Sequence, residues 1–181
     1  MRYFKKLVGE RIYLSPMNLE DVELYTKWMN DFEVTNGIGA SARMISISSE
    51  RNWIQQNTQD QYQFSIVRLE DDKLIGSCCI GQIDQIHQRA VVGLMIGDEK
   101  NRGQSYGTET LGLLLKYSFD YLNLHNVMLG VFSFNQRAIA CYQKVGFREV
   151  GRRRECYYVE GRFYDEIYMD ILKSEWKDST K

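Results

Sequence analysis

The chain has 181 residues, 44% of them apolar and 26% charged, which suits one domain with its own core and no disulfide or metal staples. Its formal net charge of −1 supplies no global basic field, so nucleic acid and anionic membrane are not expected partners. No apolar run reaches the ~18 residues of a membrane span, and the N-terminus lacks the apolar stretch of an export signal, which predicts a cytoplasmic protein.

Residues 1–181 read as a single domain without a linker or repeat. Arg11–Ser15 alternates before Pro16 and predicts a first strand. Asn18 is placed to cap a helix carrying Leu19, Val22, Tyr25 and Met29, and a second helix is expected from Ser48 or Ser49 with Trp53 and Ile54. Strands follow at Gln63–Leu69, Lys73–Ile83 and His87–Gly97, spaced as antiparallel hairpins. A long helix is predicted over Ser105–Leu122, with Leu111, Leu114, Leu115, Ser118 and Leu122 on one side. Then come a strand at Val127–Phe134, a short helix at Asn135–Val145 ended by Gly146, and strands at Phe147–Val159 and Phe163–Leu172. The polar tail Lys173–Lys181 is expected to fray. This order predicts an α/β sandwich around a mixed sheet.

Four cysteines (Cys78, Cys79, Cys141 and Cys156) contain no C-x-x-C pair, so no metal site is expected and reduced thiols fit. Between Asn30 and Asp72 the acids Asp31, Glu33, Glu50, Asp60, Glu70, Asp71 and Asp72 face only Arg43, Arg51 and Arg68. That bias is either an ordinary solvated surface or an acidic entrance for a cationic substrate.

The segment Asp98–Thr108 joins a strand to a helix and holds Gly103 and Gly107 beside Arg102. A glycine-rich strand-to-helix turn exposes backbone N–H groups at a positive helix end, a geometry suited to phosphate. It carries neither a Walker pattern nor G-x-G-x-x-G, and a tight turn without ligand is the competing reading. Asn135 is placed as an N-cap, and Tyr142 lies seven residues on, on nearly the same helix face.

Arg102-Gly-Gln-Ser-Tyr-Gly-Thr resembles the acetyl-CoA loop of the GNAT superfamily of N-acetyltransferases. Asn135-x-x-Ala138-Ile139-x-x-Tyr142-x-Lys144-x-Gly146-Phe147 is similar to that family's second motif. Gly151, Val159–Asp165 and Met169 resemble the C-terminal hairpin of its ribosomal-protein N-terminal and spermidine acetyltransferase branch. The resemblance implies a mostly antiparallel sheet of about seven strands flanked by about four helices. It implies that backbone groups of Met95, Ile96 and Gly97 pair with pantetheine as an added strand. Amides of Arg102, Gly103, Gln104, Ser105, Tyr106, Gly107 and Thr108 would hold the pyrophosphate, and Asn135 the pantetheine arm. Arg137 or Lys144 would reach the ribose phosphate, or else lie on solvated surface. The cluster Arg148, Arg152, Arg153 and Arg154 would meet CoA phosphate or a partner chain.

Tyr142 is expected near the thioester sulfur as the general acid, in direct acetyl transfer to a small-molecule amine or a peptide N-terminus. The branch includes dimers and larger rings, which makes a homodimer one expectation, with Phe163–Leu172 as interface. The chain departs from the pattern twice. Ser105 replaces the first loop glycine, where it either crowds the phosphate, caps the helix or donates a hydroxyl. Ala90-Val91 stands where relatives often carry Ala-Glu, which leaves Asp84, Glu33, His87 or a water chain as candidate bases. The missing acid also keeps open a catalytically weak acyl-CoA sensor as the alternative function.

Overall fold

The computed structural model describes residues 2–57 and 62–177; Asp60 of the acidic stretch and tail residues 178–181 lie outside them. Eight strands form one sheet: Leu7–Val8 (β1), Ile12–Pro16 (β2), Gln63–Arg68 (β3), Leu74–Asp84 (β4), Arg89–Ile96 (β5), Asn126–Phe132 (β6), Arg148–Val159 (β7) and Arg162–Leu172 (β8). Their order is β1-β2-β3-β4-β5-β6-β8-β7. Only β5 and β6 run parallel, because the connection between them returns across the sheet through a helix. The helices are Val22–Met29 (α1), Phe32–Thr35 (α2), Ile47–Asn57 (α3), Tyr106–Lys116 (α4) and Gln136–Val145 (α5).

The mixed, mostly antiparallel architecture is the expected one, with one more strand and one more helix. β1 is two residues long and α2 a single turn, too short for any periodicity to show in the sequence. Asn18 does cap, accepting from the Glu20 amide at 2.9 Å, but it starts a 3₁₀ turn before α1. α3 begins a residue early at Ile47, and the Ser46 hydroxyl accepts from the Ser49 amide. The long helix expected over Ser105–Leu122 changes pitch at Tyr117 and continues as a π turn to Tyr121, where Ser118 and Phe119 are both buried.

Alternation along the strands divides the core. Ile12, Leu14, Ile66, Ile75, Cys78, Ala90 and Val92 face α4, whose Leu111, Leu114 and Leu115 are fully buried against them. Val127, Leu129, Val131, Ile167, Met169 and Ile171 continue that layer, with Ile139, Tyr142 and Val145 of α5 packed on it. On the opposite face Tyr13, Val67 and Leu74 meet Val22, Tyr25, Trp28 and Ile54 from α1 and α3.

The stretch read as a fraying tail is tied down as far as Trp176, which packs on Phe119 at 5.5 Å between ring centroids. Nearby, Lys173 Nζ donates to the Phe119 carbonyl and Glu175 pairs with Arg148 at 2.7 Å. All four cysteines are free thiols. Among the described residues no helix is long and apolar enough to cross a membrane.

Candidate active site

β5 and β6 pair at only three positions, ending at Val91↔Met128. β5 continues to Ile96 and β6 to Phe132, so the two strands part and one edge of Val92–Ile96 carries no strand. A cleft of about 320 Å³ lies beside this edge. Its walls are Leu94, Met95 and Ile96 of β5, the segment Asn101–Thr108, the start and inner face of α5, and Glu33, Val34, Gly37 and Ile38 around α2.

Of the residues singled out from the sequence, Met95, Ile96, Arg102, Gly103, Ser105, Tyr106, Gly107, Thr108, Asn135, Tyr142 and Lys144 all line this cleft, as does Arg137. Two do not. Gly97 lies against Trp28, where a Cβ would approach Cε2 to 2.0 Å, so glycine is required there by packing. Gln104 turns its carbonyl to the Arg11 guanidinium outside the cleft.

The turn before α4 presents its amides as the sequence suggested. The first-turn N–H groups of a helix have no partner four residues back. None of the amides from Gly103 to Thr108 has an acceptor among the described residues. The Arg102 amide is different: it donates to the Glu99 carbonyl at 2.8 Å and is not free. The Arg102 side chain is 7% exposed and donates to the carbonyls of Ile96 and Gly97, tying the end of β5 to the loop. Its guanidinium still contributes positive charge, with Glu33 at 3.8 Å on the cleft side.

Ser105 occupies the left-handed region at φ +65°, in the N-cap position, and makes no side-chain capping bond. Expected to crowd the phosphate, cap the helix or donate its hydroxyl, it makes no cap and is a strained backbone position that glycine would occupy without the Cβ penalty.

Asn135 caps α5: Oδ1 accepts from the Ala138 amide at 3.2 Å. Its Nδ2 faces Gly37, where a Cβ would approach within 3.2 Å. Tyr142, two turns along, is packed against Phe147, and its hydroxyl has no hydrogen-bond partner among the described residues. Burial pushes its phenol up to about 12, so it stays a proton donor at any physiological pH. The Cys141 thiol lies 3.3 Å from Thr108 Oγ1 and is likewise raised by burial.

The candidate bases separate. Asp84 ends β4 and His87 sits in the β4–β5 turn, at the far end of β5, with Asp84 Oδ2 2.8 Å from His87 Nδ1. The His87 amide and ring, with Arg89 nearby, hold that carboxyl down to about 2. Neither lines the cleft, whereas Glu33 does. His125 is a turn residue whose amide donates to Gln88.

Asn101 was not singled out in the sequence. Its side chain is buried in the cleft wall, Oδ1 accepts from Arg68, and Nδ2 has no partner among the described residues. A lone asparagine in a loop carries no signal by itself; only the fold buries this orphan donor in the cleft wall. Glu33 was named from the sequence as a candidate base, but its neighbours Val34, Gly37 and Ile38 on the cleft wall were not, because one helical turn is invisible to periodicity.

Comparison with known proteins gives the family. The Acetyltransferase (GNAT) domain family matches residues 11–148. An uncharacterized N-acetyltransferase, p20, of Bacillus licheniformis is 29% identical over 175 residues, covering 94% of this chain and 97% of that protein. The spermidine N(1)-acetyltransferase of Vibrio cholerae is 32% identical over 111 residues, 61% of this chain and 64% of that one. A crystal structure of Vibrio cholerae spermidine N-acetyltransferase, in complex with CoA and spermine, superimposes with a TM-score of 0.83 at 24% identity over 92% of this chain and 98% of that one. With the family matched over most of its length, this chain belongs to the GNAT acetyltransferases and is an acetyl-CoA-dependent N-acetyltransferase.

Proposed function

We propose that the enzyme acetylates a primary amine by direct attack, without a covalent enzyme intermediate, and that Tyr142 is its general acid. The observation that carries this reading is the unpartnered Tyr142 hydroxyl in the same cleft as the unpaired amides of Gly103, Ser105, Tyr106, Gly107 and Thr108. Acetyl-CoA supplies the activated acyl group. The free edge at Met95 and Ile96 is suited to its pantetheine arm, and the amides from Gly103 to Thr108 to its pyrophosphate. Asn101 Nδ2 adds a buried donor that otherwise goes unsatisfied, a loss of about 1–3 kcal/mol. Asn135 Nδ2 reaches toward the pantetheine arm, and Lys144 or Arg137 toward the ribose phosphate. Gly97 and Arg102 act one step back, fixing the end of β5.

Tyr142 donates to the departing sulfur, which must accept charge as the thioester breaks. Cys141 is held as a thiol by burial, which supports attack by the acceptor itself rather than by the protein. An alkyl amine with a pKa near ~10 is about one part in a thousand neutral at pH 7, a deficit of roughly 4 kcal/mol, so the site must also remove a proton.

The acceptor is read as a cationic small amine of the polyamine class. The spermidine acetyltransferases among the relatives and Glu33 on the cleft wall support this, with a peptide N-terminus as the other candidate. Calorimetric titration with acetyl-CoA should give one site per chain and weaker binding of dephospho-CoA. Thiol release should then follow with spermidine or with an alanine-initiated peptide. Tyr142→Phe is expected to lower kcat about 100-fold while acetyl-CoA affinity stays within about twofold. Full turnover by that variant, or no acetyl-CoA binding at millimolar concentration, would overturn the proposal.

A further inference from the structure

Val91 leaves the deprotonation step without the acid that relatives often carry, and the opposite face of the same strand fork, outside the residues that line the cleft, carries one. Two residues past the last β5–β6 pair, Gly93 and Gly130 occupy equivalent positions on the same face of the parting strands. That face is the one opposite α4 and α5, since Val127, Leu129 and Val131 point into their layer. The two missing side chains make a notch at the fork. Glu166 fills the space over one side of it: a Cβ on Gly130 would lie 2.7 Å from Glu166 Oε1. β8 carries Glu166 opposite Phe132, at the free end of β6. Its Oε2 accepts from the Tyr168 hydroxyl at 2.9 Å, which orients the carboxylate. Among the described residues no cation lies within ion-pair distance of it, although Arg153 is its register partner on β7. A half-buried, hydrogen-bonded carboxylate without a counter-ion, over a gap in two strands, is placed to meet an ammonium.

We propose that Glu166 is the catalytic base for the acceptor amine, entering from the face of the sheet opposite α4 and α5. The proposal rests on the acetyl-transfer reading above. Glu166 pairs with the acceptor's ammonium and takes one proton from it. The freed nitrogen lone pair forms the C–N bond at the thioester carbonyl. The adduct's nitrogen gives up its second proton to water, and as the adduct collapses to the amide the C–S bond breaks and Tyr142 protonates the sulfur. Solvent then removes the proton from Glu166 and restores that of Tyr142, so no other reactant is needed. The titratable and charged groups near Glu166 are Tyr164 and Tyr168 on its own face of β8 and Arg153, Cys156 and Tyr157 on β7, with Tyr157 stacked on Phe132 at 3.9 Å; β6 presents the uncharged Gly130 and Phe132, and Gly39 lies against Phe132.

The test is kcat/KM against pH for wild type, Glu166→Gln, Glu166→Asp and Gly130→Ala, with spermidine and with an alanine-initiated peptide. Glu166→Gln should lose about 100-fold at pH 7. Without the base only free amine reacts, so its deficit should shrink about tenfold per pH unit toward the acceptor's pKa of ~10, while acetyl-CoA affinity is unchanged. A merely structural role would leave the two profiles parallel. Glu166→Asp should recover part of the rate. Gly130→Ala displaces the carboxylate without removing it and should lose about tenfold, with no further loss when combined with Glu166→Gln. These last two variants decide the matter if Glu166→Gln fails to fold. Turnover by Glu166→Gln within threefold of wild type and a parallel profile would overturn this proposal alone. Absence of any wild-type transfer would overturn the acetyl-transfer reading and this one with it.

Discussion

The two halves of the sheet are built to different standards. β2 and β3 are buried along almost their whole length, with α4 on one face and α1 and α3 on the other. In the β6–β8–β7 half one face is sealed by α5, while Met128, Gly130, Phe132, Glu166, Tyr168 and Asp170 on the other are only partly covered or exposed. β7 is exposed along most of its twelve residues. The cleft lies where these halves meet. The covered half supplies the rigid edge of β5 and the α4 turn; the open half leaves polar groups uncovered at the fork. Positioning a cofactor demands rigidity, and admitting an acceptor demands an unfilled face.

The sharpest way to break this contrast is to add one methyl to each half. Gly97→Ala drives a Cβ into the Trp28 ring, which is fully buried and hydrogen-bonded through Nε1 to Asp98 at 3.1 Å. It should destabilise by about 3 kcal/mol in denaturant unfolding, with acetyl-CoA binding weakened as the end of β5 shifts. Gly151→Ala, with nothing within 4 Å of its Cβ position on β7, should change stability by less than about 0.5 kcal/mol. Equal effects would mean that the halves do not differ in packing.

Alkaline pH sharpens the comparison at intermediate size. Burial raises the phenols of Tyr3, Tyr13 and Tyr25 in the covered half, and that of Tyr142 to about 12. The folded chain therefore keeps protons that the unfolded chain releases near pH ~10, so this stability is present below that pH and is lost as pH rises through 12. Urea midpoints should be flat from pH 8 to 9.5 and fall steeply above, with tyrosinate absorbance rising together with unfolding rather than before it.

The smallest effect belongs to the junction itself. Ser105→Gly removes the left-handed strain at the start of α4 and should stabilise by about 0.5 kcal/mol, leaving the Gly103–Thr108 amides in place. Thermal unfolding with and without acetyl-CoA measures both parts. A destabilised variant would mean that the serine makes a contact in solution that offsets its strain.

Local pattern was enough to read much of this protein. Alternation at Arg11–Ser15 and Gln63–Leu69, the leucines of α4 and the Asn135 cap are encoded within a few residues, because a strand or helix shows its buried face at a fixed period. The α4 turn was legible from its glycines beside Arg102, and the roles of Asn135 and Tyr142 only from their resemblance to the GNAT motif. What no window of sequence contains is the gap between β5 and β6, which exists because their pairing stops at Val91 and Met128, 37 positions apart. The contact of the Gln104 carbonyl with Arg11, the burial of Asn101 beside Arg68 and the reach of Glu166 over Gly130 likewise depend on residues distant in the chain. Period reports which face of an element is buried; only the assembled sheet decides which polar groups are left unpaired at its fork.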